Sequence, residues 1–431
     1  MNVPAQHNPI IPGALVAVIG AGASGEAAVR LLQAKGARVR LLERNPEKIG
    51  QEFYAFAGRH GIEIVGGQHN TAHFQDVSLV VSSPGVPYTG LVRMLEAVGS
   101  PPVMAEMELA WRFVYSPVLA VTGTSGKTTT VSIAAAMLRE AGKRVFLGGN
   151  IGTPLSEYVL SGERADVLVL EASSFQLMGC DTFRPHVGVL LNISPNHLDQ
   201  HESMQEYVEA KYSMFARQTG DNIAIFGADL QGEVSLRPIL AKKQYFSITD
   251  RFPETQLLGE HNRANLEAAY CAVSPFGVSE DEARRAAAAF APLANRLELV
   301  GEWNGVAYIN DSKATTVNAL QMALQSMERP TLLLAGGVFK GGDLTALAGL
   351  LREKVKAVGL FGAGQEFFEK AWEGIVPLSW SATLEEAVMA LRDQAVVGDV
   401  ILLAPATSSF DLYVNYVARG EDFRRIAAQV R

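Results

Sequence analysis

Cysteine is nearly absent from this chain: Cys180 and Cys271 are the only two in 431 residues, and neither has a CxxC neighbour. A disulfide framework is thereby excluded, and nothing points to a thiolate metal site or dithiol redox chemistry. Long apolar runs are missing too. No uninterrupted stretch reaches the roughly 18 residues that span a bilayer, and residues 1–11 lack a charged start followed by an apolar run. A cytoplasmic protein without membrane insertion is the expectation. Basic runs are the third absence. With 37 Lys and Arg against 45 Asp and Glu the formal charge is −8, and no cationic stripe offers a surface to nucleic acid. Anionic ligands must therefore be held by a few local groups.

Apolar residues and glycine are what the chain has in quantity. Hydrophobic residues make up 48% of it and glycines number 40, enough for about two to four domains with proper cores. Short apolar runs end repeatedly in glycine-rich or polar exits and restart as helices. That rhythm belongs to doubly wound α/β sheets, and no short repeat of fixed period underlies it.

The most informative exit follows Val118–Val121. Thr122-Gly123-Thr124-Ser125-Gly126-Lys127-Thr128-Thr129-Thr130 leads into an alanine-rich helix over 128–140. A strand that breaks at glycine and restarts as a helix aims free N–H groups at one point, where phosphates bind. Gly123 and Gly126 let the loop curl, Lys127 offers a point charge to terminal phosphate oxygens, and the hydroxyl of Thr128 or Thr129 can ligate magnesium. The general P-loop would have glycine where Val121 stands, so this is a shorter variant.

Earlier, the run Ala14–Ile19 exits through Gly20-Ala21-Gly22-Ala23-Ser24-Gly25 into a helix and a strand, Arg38–Leu42, that ends at Glu43. This βαβ start suits NAD or FAD, but equally any pyrophosphate, including that of a UDP-sugar, and glycines here also serve plain helix–strand packing. Val77–Val81 exits through Ser82-Ser83-Pro84-Gly85, and the linker-like Gly99-Ser100-Pro101-Pro102 sets a boundary near 105. In the middle third Glu171 ends an apolar run, where a carboxylate can hold the magnesium of a nucleotide, and His197 lies in a turn-rich loop. Lys211 follows inside a helical stretch. His261, Asn262 and Asn265 share a helix start, where polar groups either cap the helix or read a base. Pro292 and Asn295 mark a second boundary. Beyond it Val306–Ile309 exits through Asn310-Asp311-Ser312-Lys313-Ala314-Thr315, and later exits fall at 336–342, 362–364 and 405–411.

Together these motifs resemble the Mur ligase family across the whole chain, and within it the branch that adds D-glutamate. The Gly-Thr-Ser-Gly-Lys-Thr-Thr run at 123–129 is common to the family; Glu-Ala-Ser-Ser-Phe-Gln-Leu at 171–177 and Asn-Asp-Ser-Lys-Ala-Thr at 310–315 are the discriminating runs. The resemblance implies three α/β domains: a Rossmann-like UDP-sugar-binding domain over 1–105, a central P-loop ATPase-like, ATP-binding domain over 106–294, and a Rossmann-like amino-acid-binding domain over 295–431. It implies an ATP-dependent amide ligase of peptidoglycan precursor synthesis, a monomer acting on UDP-N-acetylmuramoyl-L-alanine and D-glutamate through an acyl phosphate and a tetrahedral intermediate, with ADP and phosphate as products. A nicotinamide oxidoreductase would leave the 123–129 loop without a task, and a nucleotide-hydrolysing switch would need no amino acid.

Residue by residue, the resemblance gives the UDP-sugar to Gly20, Ala21, Gly22, Ala23, Ser24, Glu43, Arg44, Ser82, Ser83, Pro84 and Gly85. ATP phosphates fall to Gly123, Thr124, Ser125, Gly126, Lys127, Thr128 and Thr129, and adenine and ribose to Asn262, Asn265, Arg296 and Asp311. Asn150 and His197 would face the substrate carboxylate. Lys313, Thr315, Lys340, Ser409, Phe410 and Tyr416 would take D-glutamate and the transferred phosphate. Two magnesium ions are implied on Thr128, Glu171, His197 and Lys211, the last as a carbamate, because a protonated amine repels a cation whereas added carbon dioxide makes it an oxygen ligand. Lys127, His197, Lys211 and Lys313 form the implied catalytic set. Asn196 and Asn295 depart from the family, where aspartate and histidine are common at those places.

Overall fold

The computed structural model describes residues 12–195 and 201–429. Three α/β domains are built on three sheets. In the first, β1 (Leu15–Ile19), β2 (Arg38–Glu43), β3 (Glu63–Gly66), β4 (Leu79–Ser82) and β5 (Val103–Ala105) are all parallel, in the order β3-β2-β1-β4-β5. The order reverses between β1 and β4, so the crevice that takes ligands in such sheets opens at the exits Gly20–Ser24 and Ser82–Gly85. Gly25 is required by packing: a Cβ there would stand 1.8 Å from the Gly20 carbonyl oxygen.

The second sheet is also parallel. It contains β6 (Val118–Thr122), β7 (Val145–Gly149), β8 (Val167–Glu171), β9 (Val187–Leu190), β10 (Ile223–Gly227) and β11 (Lys242–Phe246), in the order β11-β10-β9-β6-β8-β7. β6 and β8 are buried along their whole length, as apolar runs without alternation require when helices cover both faces. The boundary expected near 105 falls where the first sheet ends, at a packed seam. β5 passes directly into a helix, Glu106–Trp111, in which every residue is buried. Glu108 fixes that seam by accepting the Thr182 and Phe183 N–H groups and the Thr182 hydroxyl. Trp111 packs edge-on against Phe183 at 5.3 Å, a burial contributing about 1.5–3 kcal/mol for a side chain of this class.

The third sheet adds β12 (Glu298–Trp303), β13 (Val306–Asn310), β14 (Thr331–Gly336), β15 (Val355–Phe361), β16 (Leu378–Ser381) and β17 (Val400–Leu403), in the order β12-β13-β17-β14-β15-β16. Here the sequence reading falls short: β12 runs antiparallel to β13. Its turn is Asn304-Gly305, both at positive φ (54° and 74°), the hairpin dipeptide that should have signalled it.

The chain packs as two compact units. One runs to Pro253 and adds Ala264–Ala287, so it holds the first two sheets; the other is Glu254–Arg263 with the chain from Ala288 onward. Among the described residues no helix is long and apolar enough to cross a membrane.

Candidate functional site

The phosphate loop curls as its glycines allow. Gly123 sits at φ 153° and Gly126 at φ 84°, and the helix Lys127–Glu140 starts directly after. A Cβ on Gly126 would lie 2.3 Å from Asn265 Oδ1, so that asparagine closes over the loop. Lys127 folds back to donate to the carbonyls of Gly123 (2.9 Å) and Thr124 (3.0 Å). Beside it, Thr128 Oγ1 donates to Glu171 Oε2 at 2.7 Å, and Asn150 Nδ2 donates to Glu171 Oε1 at the same distance. Three residues singled out separately in the sequence thus meet at one point.

Oxygen donors of this kind suit a hard dication, and Thr128 and Glu171 fit magnesium. Among the described residues no group of three or more His, Cys, Asp or Glu assembles, so phosphate oxygens and water would complete its coordination.

Lys211 comes to the same loop from the helix Met204–Tyr212, donating to the Gly123 carbonyl at 2.8 Å. It is 1% exposed, and burial together with the Lys127 charge pushes its amine down to about 6. Tyr207, one turn earlier on that helix, lays its ring 4.4 Å from the amine and donates its hydroxyl to Thr124 Oγ1. Tyr207 was not anticipated, although its spacing to Lys211 puts both on one helix face. Nor was Asn192, which brackets the loop by accepting the Ser125 N–H (3.0 Å) and donating to the Ser125 carbonyl (3.2 Å). His201 is a further omission: its ring stacks on Phe175 and lies 2.9 Å from Ser174 Oγ. Asn196 and His197 lie outside the described residues.

In the first sheet Glu43 turns toward the glycine loop and accepts the N–H groups of Ala21 (2.7 Å) and Asn45 (2.9 Å). Burial acts to raise its carboxyl, but these N–H donors outweigh it and hold the group below the usual range. Ser83 Oγ donates to the Gly20 carbonyl, joining the two exits at the switch point. Ser82 is buried and Arg44 is exposed.

In the second unit, Asn295 stands in a tight bend. Asn295 and Leu297 both adopt left-handed φ (63° and 43°), and asparagine tolerates that region better than most residues. Arg296, held in this bend, faces Asp311. Burial pushes the Asp311 carboxyl up to about 7, while the Arg296 charge and the Leu297 N–H work in the opposite direction. Asn262 belongs to the same unit and donates to the Leu258 carbonyl, whereas Asn265 belongs to the first unit. The Lys313 amine stands 4.0 Å from the Tyr416 ring and Lys340 stands 5.4 Å from that of Phe410, which is 67% exposed. Ser409 is buried.

The raised Asp311 carboxyl has a measurable consequence. Between its unfolded value near 3.8 and about 7, the folded protein binds a proton the unfolded chain has lost, so ionisation erodes stability as pH rises through that window. Asp311→Asn is expected to raise the thermal midpoint, with a gain small near pH 4, growing to pH 7 and level above. A gain independent of pH would contradict this assignment.

A parallel sheet with a glycine-bearing loop, a lysine at a helix start and a carboxylate on the neighbouring strand defines a nucleotide-phosphate-binding α/β protein. Three family models agree: Mur ligase MurD-like, N-terminal domain over residues 14–98, Mur ligase middle domain over 121–251, and Mur ligase, glutamate ligase domain over 295–407. The chain belongs to the Mur ligase family. It is 57% identical over 416 residues to the UDP-N-acetylmuramoylalanine--D-glutamate ligase of Nitratidesulfovibrio vulgaris (strain DP4), covering 96% of each chain. Against the ligase of the same name from Oleidesulfovibrio alaskensis it is 52% identical, covering 97% of this chain and 95% of the relative. Among solved structures, MurF ligase from Thermotoga maritima in complex with ADP shares the fold with a TM-score of 0.61 at 18% identity, covering 91% of this chain and 96% of that one.

Proposed function

We propose that this protein is an ATP-dependent ligase joining D-glutamate to UDP-N-acetylmuramoyl-L-alanine in peptidoglycan precursor synthesis. The observation that carries the reading is the meeting of Lys127, Thr128, Glu171 and Asn150 at the phosphate loop, in a chain whose relatives bear that ligase's name.

A carboxylate and an amine do not condense in water because the carboxylate oxygen is a poor leaving group. Transfer of the ATP γ-phosphoryl to that oxygen gives an acyl phosphate and ADP. The deprotonated amine of D-glutamate then adds to the carbonyl carbon, and the tetrahedral intermediate collapses to amide, expelling phosphate. Charge spreads over the phosphoryl oxygens during transfer, so fixed positive groups do most of the work. Lys127 and the loop N–H groups would grip the phosphates, with Gly123, Thr124, Ser125, Gly126 and Thr129 shaping the cradle. Thr128 and Glu171 would hold one magnesium, and His197 with a carbamylated Lys211 a second; when bound, these ions neutralise phosphate charge. The switch-point residues Gly20–Ser24, Glu43, Arg44 and Ser82–Gly85 would hold the UDP-sugar, with Asn150 toward its carboxylate. Asn262, Asn265, Arg296 and Asp311 would contact adenosine. Lys313, Thr315, Lys340, Ser409, Phe410 and Tyr416 would bind D-glutamate and the departing phosphate. Every group comes from one chain, so a monomer suffices, and a cytoplasmic location, where ATP is available, belongs to the same reading.

The test is phosphate release from ATP in the presence of UDP-N-acetylmuramoyl-L-alanine, with and without D-glutamate. Sustained release only when all three are present is the expected result. Equal release without D-glutamate would mark a nucleotide-hydrolysing switch and overturn the ligase.

A further inference from the structure

The helix Tyr416–Gln429 carries a charged side chain that no role above uses. Arg419 is fully buried, and its guanidinium is spent on the backbone of the strand exits. Nη2 donates to the carbonyls of Ser312 (2.9 Å) and Thr407 (3.1 Å), Nη1 to that of Gly336 (3.4 Å), and Nε to Ser312 Oγ (3.0 Å). Those acceptors lie on the exits of β13, β17 and β14. Burial lowers its pKa to about 10, so it stays a cation at neutral pH, paired with oxygen dipoles. A buried charge is tolerated only where hydrogen bonds replace its water, and the planar fork of arginine can reach several acceptors at once.

The segments it ties do not hold themselves. Ala406 takes φ 60°, a strained conformation for a residue with a Cβ, and such strain persists only when neighbours over-determine it. Its N–H bonds the Ala314 carbonyl, while Ser312 Oγ passes a bond on to the Tyr416 carbonyl. Gly337 lies so close that a Cβ there would stand 3.2 Å from Arg419 Nη1.

We infer that Arg419 is a positioning residue: it locks the β13, β14 and β17 exits in one arrangement and so sets the geometry of the amino-acid end of the site. The inference rests on the functional reading above, which places Lys313, Thr315, Lys340 and Ser409 on those exits. None of its acceptors belongs to the residues assigned to the UDP-sugar, so its loss acts on the amino acid, and through Asp311 on ATP, while sparing the UDP-sugar.

The experiment uses the full-length protein with Arg419→Lys, Arg419→Ala and the milder Ser312→Ala, which removes a single acceptor. In Arg419→Lys and Arg419→Ala the KM for D-glutamate is expected to rise about tenfold or more, with the KM for the UDP-substrate within about twofold of native, since losing one hydrogen bond to a charge already amounts to roughly tenfold. Millimolar guanidinium should restore part of the Arg419→Ala activity. Ser312→Ala should show a several-fold rise in the D-glutamate KM with a fall in thermal midpoint of only a few degrees, since the other Arg419 bonds remain, and it decides the matter should the Arg419 variants fail to fold. Amide hydrogen exchange at 311–316 and 405–411, which needs no substrate, should quicken in Arg419→Lys or Ser312→Ala, separating this inference from the ligase reading. A folded variant with native D-glutamate KM and native exchange in both segments would overturn it, as would equal rises in every KM.

Discussion

Lys127→Ala should lower D-glutamate-dependent phosphate release by about a hundred- to a thousandfold, the range seen when one preorganised donor to a developing charge is removed. The fold should survive. Lys127 lies in the first helical turn and is only partly buried, and of the two carbonyls it satisfies, that of Gly123 also accepts from Lys211. Its amine has two jobs in the proposed scheme, gripping the terminal phosphate and following it as it moves, and only the second is specific to the transition state. The loss should therefore appear in kcat at saturating ATP and not only in KM. A second effect should accompany it. Lys127 is one of the groups that depress Lys211, so removing its charge should move the Lys211 amine upward. Near-native turnover in a folded Lys127→Ala protein would remove the phosphate loop from the mechanism and the ligase reading with it.

How much of this was legible in the chain depends on range. The phosphate loop could be read because strand, glycine, lysine and helix start are adjacent, so local stereochemistry alone dictates the cradle. Glu171 could be placed at a strand exit for the same reason. Its bond to Thr128, 43 residues away, needs the β6–β8 pairing, and no pattern in the sequence states strand order. Asn192, Tyr207 and Arg419 escaped notice because each acts on a partner 67 to 107 residues distant. Asparagine, tyrosine and arginine at such positions look like ordinary loop or helix residues until the sheets are assembled. The missed β12 is different. Its Asn-Gly turn was visible, but a strand only partly buried lacks the apolar run by which the other strands announce themselves.

Lys211 offers the other large effect, and its argument begins with burial. An amine removed from water beside another cation is neutral through most of the physiological range, since its value lies near 6 and not near 10.5. A neutral amine is a nucleophile. Carbon dioxide can add to it to give a carbamate and a released proton, exchanging a neutral amine for an anionic oxygen donor that can bind magnesium. Protonation blocks the addition, so the reactive fraction should fall about tenfold for each pH unit below 6 and level off above 7. In 13C-bicarbonate the native protein should show a carbamate carbon resonance that fades along this limb and is absent from Lys211→Ala. That variant should lose about a hundredfold or more in turnover, and short carboxylic acids, which can supply the missing oxygens in the space left behind, should restore part of it. The alternative is a lysine that merely braces the Gly123 carbonyl. It predicts no resonance, no rescue by carboxylates and a loss of stability in place of activity, and the two readings part on every one of these measurements.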